Sequence, residues 1–239
     1  MNKNILLYLV LSLLGSSLWA QHRRPGESVI QAYPTFGFTT SQISGDNLKG
    51  FRKFGFTGGV GTVIPLNSYQ TFLLDVSTSF SQRGAHENSY SPGIQYLLTG
   101  FTLNYVDIPV MLYYRDPIGG IQAGLGLSFS RLVQQPHGEI AYSPSNVIPD
   151  TSDMSFLRND LALVAGFRFS VWKHLKLDLR CQYSLLPIKR DWHFTDYHDP
   201  LHEPAVWEEY NDCYNFSIQT RVMYVFGEPD RYRTKKKKR

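Results

Sequence analysis

Residues 160–186, DLALVAGFRFSVWKHLKLDLRCQYSLL, place a large apolar side chain at every second position, twice over. In the second half Leu175, Leu177, Leu179, Cys181, Tyr183 and Leu185 share one parity, and Lys176, Asp178, Arg180, Gln182 and Ser184 share the other. A repeat of two is the period of a β-strand and not of a helix. The apolar face never breaks, while the polar face carries full charges of both signs. A strand with lipid on one side and a closed, self-paired interior on the other satisfies both faces.

The same period recurs along the chain and predicts eight strands, over 29–40, 53–64, 71–83, 101–114, 120–133, 160–171, 175–188 and 214–226. Most are longer than an ordinary globular strand and suit a tilted membrane crossing. The connections sort themselves. Long ones such as GAHENSYSPGIQYLLTG and KRDWHFTDYHDPLHEPAVWEEYNDC alternate with the short PLNSYQ, RDPIGG and WKH. A membrane barrel has this asymmetry, with long loops at the outer rim and tight turns at the periplasmic one. The predicted fold is therefore an all-β, eight-stranded antiparallel transmembrane β-barrel with short periplasmic turns and long extracellular loops.

The first residues fit an exported chain. A basic start (Lys3), an apolar run from Ile5 to Leu14 and a small residue at Ala20 form the pattern of a secretory signal, with cleavage expected near Ala20. After it no apolar run approaches the roughly 18 residues of a membrane helix. The organisation expected is signal peptide 1–20, linker 21–28, barrel 29–227 and basic tail 228–239, and the location is the outer membrane. Cys181 and Cys213 are the only cysteines. Export permits a bridge, but a mid-strand position on the apolar face for one of them favours two unpaired thiols.

The sequence pI near 9.0 does not indicate nucleic acid. Residues 228–239, EPDRYRTKKKKR, hold a net +5, more than the +3 left from the chain's formal +4 once Lys3 is removed, so 21–227 carries −2. The basicity is a tail of Arg231, Arg233, Lys235, Lys236, Lys237, Lys238 and Arg239. It is expected in the periplasm, where it would hold an acidic partner by a salt-sensitive attraction or remain a solvated end.

Parity assigns the interior. Asp75, Arg83, Asp107, Arg168, Lys176, Asp178, Arg180 and Arg221 fall on inward faces, with Gly55, Gly59, Gly61, Gly124 and Gly126 leaving room for them. Buried charges need partners, so this reads as an internal network of ion pairs and hydrogen bonds. Eight strands enclose a space that side chains alone fill, which argues against a diffusion porin. Aromatics, 14% of the chain, gather near predicted strand ends as two interfacial belts. In the fourth strand Phe101–Leu103 and Ile108–Val110–Leu112 have opposite parity, so fitting Pro109 is expected to take a local bulge.

Several segments resemble the PorT-like small outer-membrane β-barrel family of Bacteroidetes: FGFTGGVGTVIPL at 54–66, LLDVSTSFSQRGA at 73–85, YVDIPVMLYY at 105–114, GLGLSF at 124–129 and the opening stretch. The aromatic-x-acid-Ile-Pro strand is met by Tyr105, Asp107, Ile108 and Pro109, and the Ser-Gln-basic-Gly strand end by Ser81, Gln82, Arg83 and Gly84. The resemblance implies an outer-membrane barrel and, for the family's namesake, a role in type IX secretion and gliding. It brings no catalytic residues. One departure is that the chain runs past the final aromatic, Phe226, into the basic tail.

Two chemical alternatives weigh less. His193, Asp196, His198, Asp199, His202 and Glu203 crowd the last long loop, but a His198/His202 pair serves a metal only on a helix, which Pro200 and Pro204 oppose. No metal or cofactor is expected. A lipid-modifying acyl hydrolase or acyltransferase at the rim would draw on His86, His137 and loop serines, yet no G-x-S-x-G or fixed spacing is present. The expected function is thus a non-enzymatic structural or accessory barrel of the cell envelope. Its partners would be outer-membrane lipid and envelope or secretion-machinery proteins, with no nucleic acid.

Overall fold

A computed structural model describes residues 30–45, 50–86, 97–118, 120–134, 138–141, 155–195 and 208–226. Ten strands lie among them: β1 (Gln31–Ser44), β2 (Lys53–Pro65), β3 (Phe72–His86), β4 (Leu97–Arg115), β5 (Gln122–Gln134), β6 (Gly138–Ala141), β7 (Asn159–Ser170), β8 (Leu175–Ser184), β9 (Lys189–Thr195) and β10 (Glu208–Tyr224). Eight of them pair antiparallel in the order β1-β2-β3-β4-β5-β7-β8-β10, and β10 returns to β1 through pairs from Thr35 with Met223 to Ser44 with Tyr214. The sheet is a closed eight-stranded antiparallel barrel. Closure leaves no edge for lipid to meet, which is what a strand-built membrane crossing requires.

The barrel is steeply sheared. Stepping from partner to partner, Gln31 leads through Val63, Asp75, Met111, Gly126, Val164, Gln182 and Ser217 back to β1 at Ser41, ten residues farther along. Shear of this size tilts the strands and sets the bore. The two remaining strands belong to the loop side, where β6 pairs with the first residues of β4 and β9 with the first residues of β10. Strands also run farther toward the loops than the alternation indicates, β1 to Ser44 and β3 to His86. Beyond the lipid nothing demands an apolar outer face, so the hydropathy signal fades before the hydrogen bonding does.

The turns at the opposite end are tight. Asn67 Oδ1 accepts from the backbone N–H groups of Thr71 and Phe72 at 2.8 and 3.3 Å, and Val171 and Trp172 both donate to the Leu175 carbonyl. An Asn side chain standing in for a backbone acceptor is a common way of closing so short a link. Among the described residues, both the start of β1 and the end of β10 lie at this end, where Phe226 N–H donates to the Ala32 carbonyl at 2.8 Å.

The outer wall is largely apolar. Phe54 is 73% exposed and Leu125 62%, and every second residue from Ile121, just before β5, to Val133 points outward. The glycines and serines between them lie inward, and Arg131 is the one charge in the outward series. Aromatic contacts belt both ends. Phe56 meets Phe80 and Tyr183 meets Phe216 toward the loops; Phe72 meets Tyr114 and Tyr224 meets Phe226 toward the turns. Leu127 sits at the centre of β5 between Val110 and Leu163 on the neighbouring strands. Leu127→Arg is expected to cost about 2–4 kcal/mol, the penalty for a cation at mid-bilayer, measurable as a fall in the urea midpoint of the barrel folded in lipid.

The bulge expected at Pro109 is absent. β4 keeps one parity from Phe101 to Arg115, with odd-numbered residues inside. The β3–β4 register is the same on both sides of Pro109, although the ladder skips it because proline has no N–H to give. Phe101 and Leu103 point into the barrel, so no phase change is needed. The irregularity lies instead on β5, where Asn104 faces Gln134 and Tyr105 faces Leu132.

Candidate functional site

The interior holds four bands. At each end is an apolar plug. The loop-side plug gathers Ile43, Ala85, Phe101, Leu103, Tyr105, Leu132, Phe156, Ile188 and Cys213. The turn-side plug gathers Tyr33, Val63, Leu73, Met111, Tyr113, Val164, Met223 and Val225. Two charged clusters adjoin these plugs, facing one another across the waist of the barrel.

The turn-side cluster is built from five strands. β3 supplies Asp75, β7 Arg168, β8 Asp178 and Arg180, β10 Arg221, and β1 adds Tyr33. Asp75 Oδ2 accepts from Tyr33 Oη at 2.7 Å and from Arg168 Nη2 at 2.8 Å; its Oδ1 accepts from Arg180 Nη2 at 3.2 Å. Asp178 Oδ2 accepts from Arg180 Nε at 3.2 Å and from Arg221 Nη2, and its Oδ1 lies 3.3 Å from Arg168 Nε. The Arg168 guanidinium also stands over two rings, 4.0 Å from the Tyr113 centroid and 5.6 Å from that of Tyr33. A guanidinium is satisfied at its edge by carboxylates and on its face by aromatic rings, so both surfaces of Arg168 are used.

Glycine makes this stacking possible. A Cβ at Gly61 would lie 2.5 Å from Tyr33 Cζ, and one at Gly124 would lie 2.6 Å from Tyr113 Cδ1. Both strands give up a side chain so that a tyrosine ring can lie flat against the wall. The glycines therefore accommodate the tyrosines that flank the arginine.

The loop-side cluster centres on Arg83. Its Nη2 donates to Asp107 Oδ1 at 2.6 Å, its Nη1 lies 3.6 Å from Asp160 Oδ2, and its guanidinium is 5.0 Å from the Tyr105 centroid. Neutral donors add to the carboxylates, all of whose oxygens but Asp160 Oδ1 are engaged. Ser81 Oγ donates to Asp107 Oδ2 at 2.6 Å; Ser184 Oγ and Asn215 Nδ2 donate to Asp160 Oδ2 at 2.9 and 3.4 Å. Asn215 also donates to Tyr105 Oη at 3.2 Å.

All eight inward charges singled out in the sequence are buried in the barrel: Asp75, Arg83, Asp107, Arg168, Lys176, Asp178, Arg180 and Arg221. Ion pairs divide seven of them between the two clusters, and Lys176 is buried one inward step from Asp178 on the turn side. Sequence reasoning missed Asp160, Tyr33, Tyr105, Tyr113 and Asn215. Asp160 was within reach, since counting back by twos from Arg168 lands on it. The tyrosines were not, because a tyrosine at an inward position looks like one at an outward position.

Other candidates fall apart or lie elsewhere. Cys181 faces outward and Cys213 inward, and no disulfide joins them. The basic tail, the expected signal peptide and most of the His-rich loop lie outside the described residues. Of that loop's candidates only His193 is described, its backbone paired with Tyr210. Among the described residues no three His, Cys, Asp or Glu side chains form a metal-holding group.

A closed barrel with an apolar exterior, aromatic belts and a self-paired charged interior defines an outer-membrane β-barrel protein. The chain belongs to the outer membrane protein beta-barrel domain family, whose model matches residues 7–226. No curated protein matches the chain. It is similar to several solved structures. They include Ail, the attachment invasion locus protein of Yersinia pestis (13% identity over 82% of this chain and 98% of that one, TM-score 0.41). Another is Neisserial surface protein A (12%, 81% and 96%, TM-score 0.42). A third is OprG from Pseudomonas aeruginosa (12%, 84% and 98%, TM-score 0.36).

Proposed function

We propose that this chain is a non-enzymatic accessory barrel of the cell envelope, a sealed membrane anchor whose work is done at its loops and tail. The observation that carries this reading is the sealed interior: two apolar plugs and two ion-pair clusters lie in series along the axis. A bore closed at both ends by packed side chains offers a solute no route, so a transport role has nothing to act through. On this reading the leader is removed near Ala20 on export, the barrel presents its long loops outside, and the basic tail, 228–239, reaches into the periplasm. The PorT-like strand motifs support a type IX secretion assembly as the setting, with secretion-machinery proteins as partners.

The test is to cross-link and purify the intact protein from detergent-solubilised envelopes, alone and with residues 232–239 deleted, and to identify what comes with it by mass spectrometry. Recovery of secretion or envelope proteins with the full chain, reduced by the deletion, is the expected result. Unchanged partners would remove the tail from the proposal. Isolation without partners, together with an altered lipid acyl pattern in a deletion strain, would replace it with a lipid-modifying enzyme acting at the rim.

A further inference from the structure

Between the two clusters the barrel wall carries mostly short or flexible side chains, with Val164 and Pro109 as exceptions. From Asp75 to Arg83, β3 turns Ser77, Ser79 and Ser81 inward; from Arg221 to Asn215, β10 turns Gln219 and Ser217 inward; β7 offers Ala162. An eight-stranded barrel is filled when its inward side chains reach the axis. Serine and alanine do not reach it. The hydroxyls of Thr39, Ser77, Ser128 and Ser217, all at least 95% buried, have no hydrogen-bond partner in the protein. Four unpaired buried hydroxyls on four strands, Ser77 nearer the turn-side cluster and Thr39, Ser128 and Ser217 nearer the loop-side one, mark a space holding something polar.

The charge on either side says what it is. Arg83 and its two carboxylates carry net negative charge, and Ser81, Ser184 and Asn215 donate to them, although Arg83 Nε and Nη1 and Asp160 Oδ1 make no hydrogen bond. The turn-side cluster is donor-rich and has no such relief. Three guanidiniums offer about fifteen N–H groups, whereas two carboxylates accept about eight, one of which is taken by Tyr33. Both oxygens of Asp75 and Oδ2 of Asp178 are engaged, and Oδ1 of Asp178 lies close to Arg168. Arg168 Nη1 and Arg221 Nε still have no acceptor. Three guanidiniums against two carboxylates leave one positive charge in excess, before Lys176, buried one inward step from Asp178, is counted, and a buried charge without a counterion is costly.

We propose that a single small anion of chloride size binds at the arginine end of a closed mid-barrel chamber. It accepts N–H bonds from Arg221 and Arg168 and an O–H bond from Ser77, with water filling the rest. Ser77 is placed for this, one inward step from Asp75, on which Arg168 and Arg180 converge.

The test uses the full-length protein folded in detergent. Its unfolding midpoint is measured in sodium chloride, bromide and gluconate at equal ionic strength, which holds screening constant while changing the size of the anion. Crystals grown in bromide are examined by anomalous diffraction. The expected result is a higher midpoint in either halide than in gluconate and a bromide peak between Arg221 and Ser77. Arg221→Gln should abolish both but risks failing to fold. Ser77→Ala keeps every charge and should fold while weakening apparent halide affinity at least about threefold, the loss of one hydrogen bond to an ion. Equal midpoints in chloride and gluconate, or a barrel with no bromide peak inside, would show that the chamber holds water alone and overturn the proposal.

Discussion

Asp178→Asn is expected to destabilise the barrel by about 3–5 kcal/mol, the range for removing one partner from a buried ion pair. The substitution preserves shape and removes the carboxylate that Arg168, Arg180 and Arg221 share. Asp75 would remain alone against three guanidiniums. The measurement is urea unfolding of the refolded protein, read alongside the heat-dependent gel shift of a folded barrel. A loss below about 1 kcal/mol would mean that water reaches this cluster and carries its charge, since exposed pairs contribute no more than that. Asp107→Asn should lose less, because Ser81 and Arg83 are its only described partners and Arg83 keeps Asp160 nearby.

Phe101→Ala should cost about 3–5 kcal/mol for a different reason, the cavity left by a large buried ring. Phe101 is 1% exposed and lies 5.2 Å from the Phe156 ring in the loop-side plug. The loss should appear in the unfolding midpoint with the gel shift of the folded form retained, because both ion-pair clusters stay intact. If Phe101 faced lipid, as a bulge at Pro109 bringing it into phase with Ile108, Val110 and Leu112 would have it, the substitution would move the midpoint far less. The experiment therefore tests the inward facing of β4 as well as the plug.

The barrel was legible because lipid and interior make opposite demands on the two faces of each strand. Where those demands differ, as between Leu177 and Asp178, counting by twos assigns every residue of β8. The method fails where both faces are apolar. Parity then distinguishes two sets without saying which is inside, and Phe101 and Leu103 were set against their true neighbours for that reason. The plugs are invisible to it on the same ground: Leu73, Val164 and Met223 could face lipid equally well by composition. The clusters themselves demand more than parity. Which aspartate meets which arginine depends on shear and on how far a side chain reaches across the bore, and Arg180 on β8 meeting Asp75 on β3 follows from neither strand alone.

The turn-side cluster also bears on how the chain assembles. Its members come from β3, β7, β8 and β10, with Tyr33 from β1, so no partial sheet contains the set. A sheet lacking the last strand would hold Arg168 and Arg180 without Arg221, in a bore still open to water. Dehydrating those charges and sealing β1 against β10 are therefore one event, and it waits for the end of the chain. Pairing across that distance in sequence is intrinsically slow. Until that strand is in place, the cost of burying unpaired charges would favour a hydrated bore over a collapsed one.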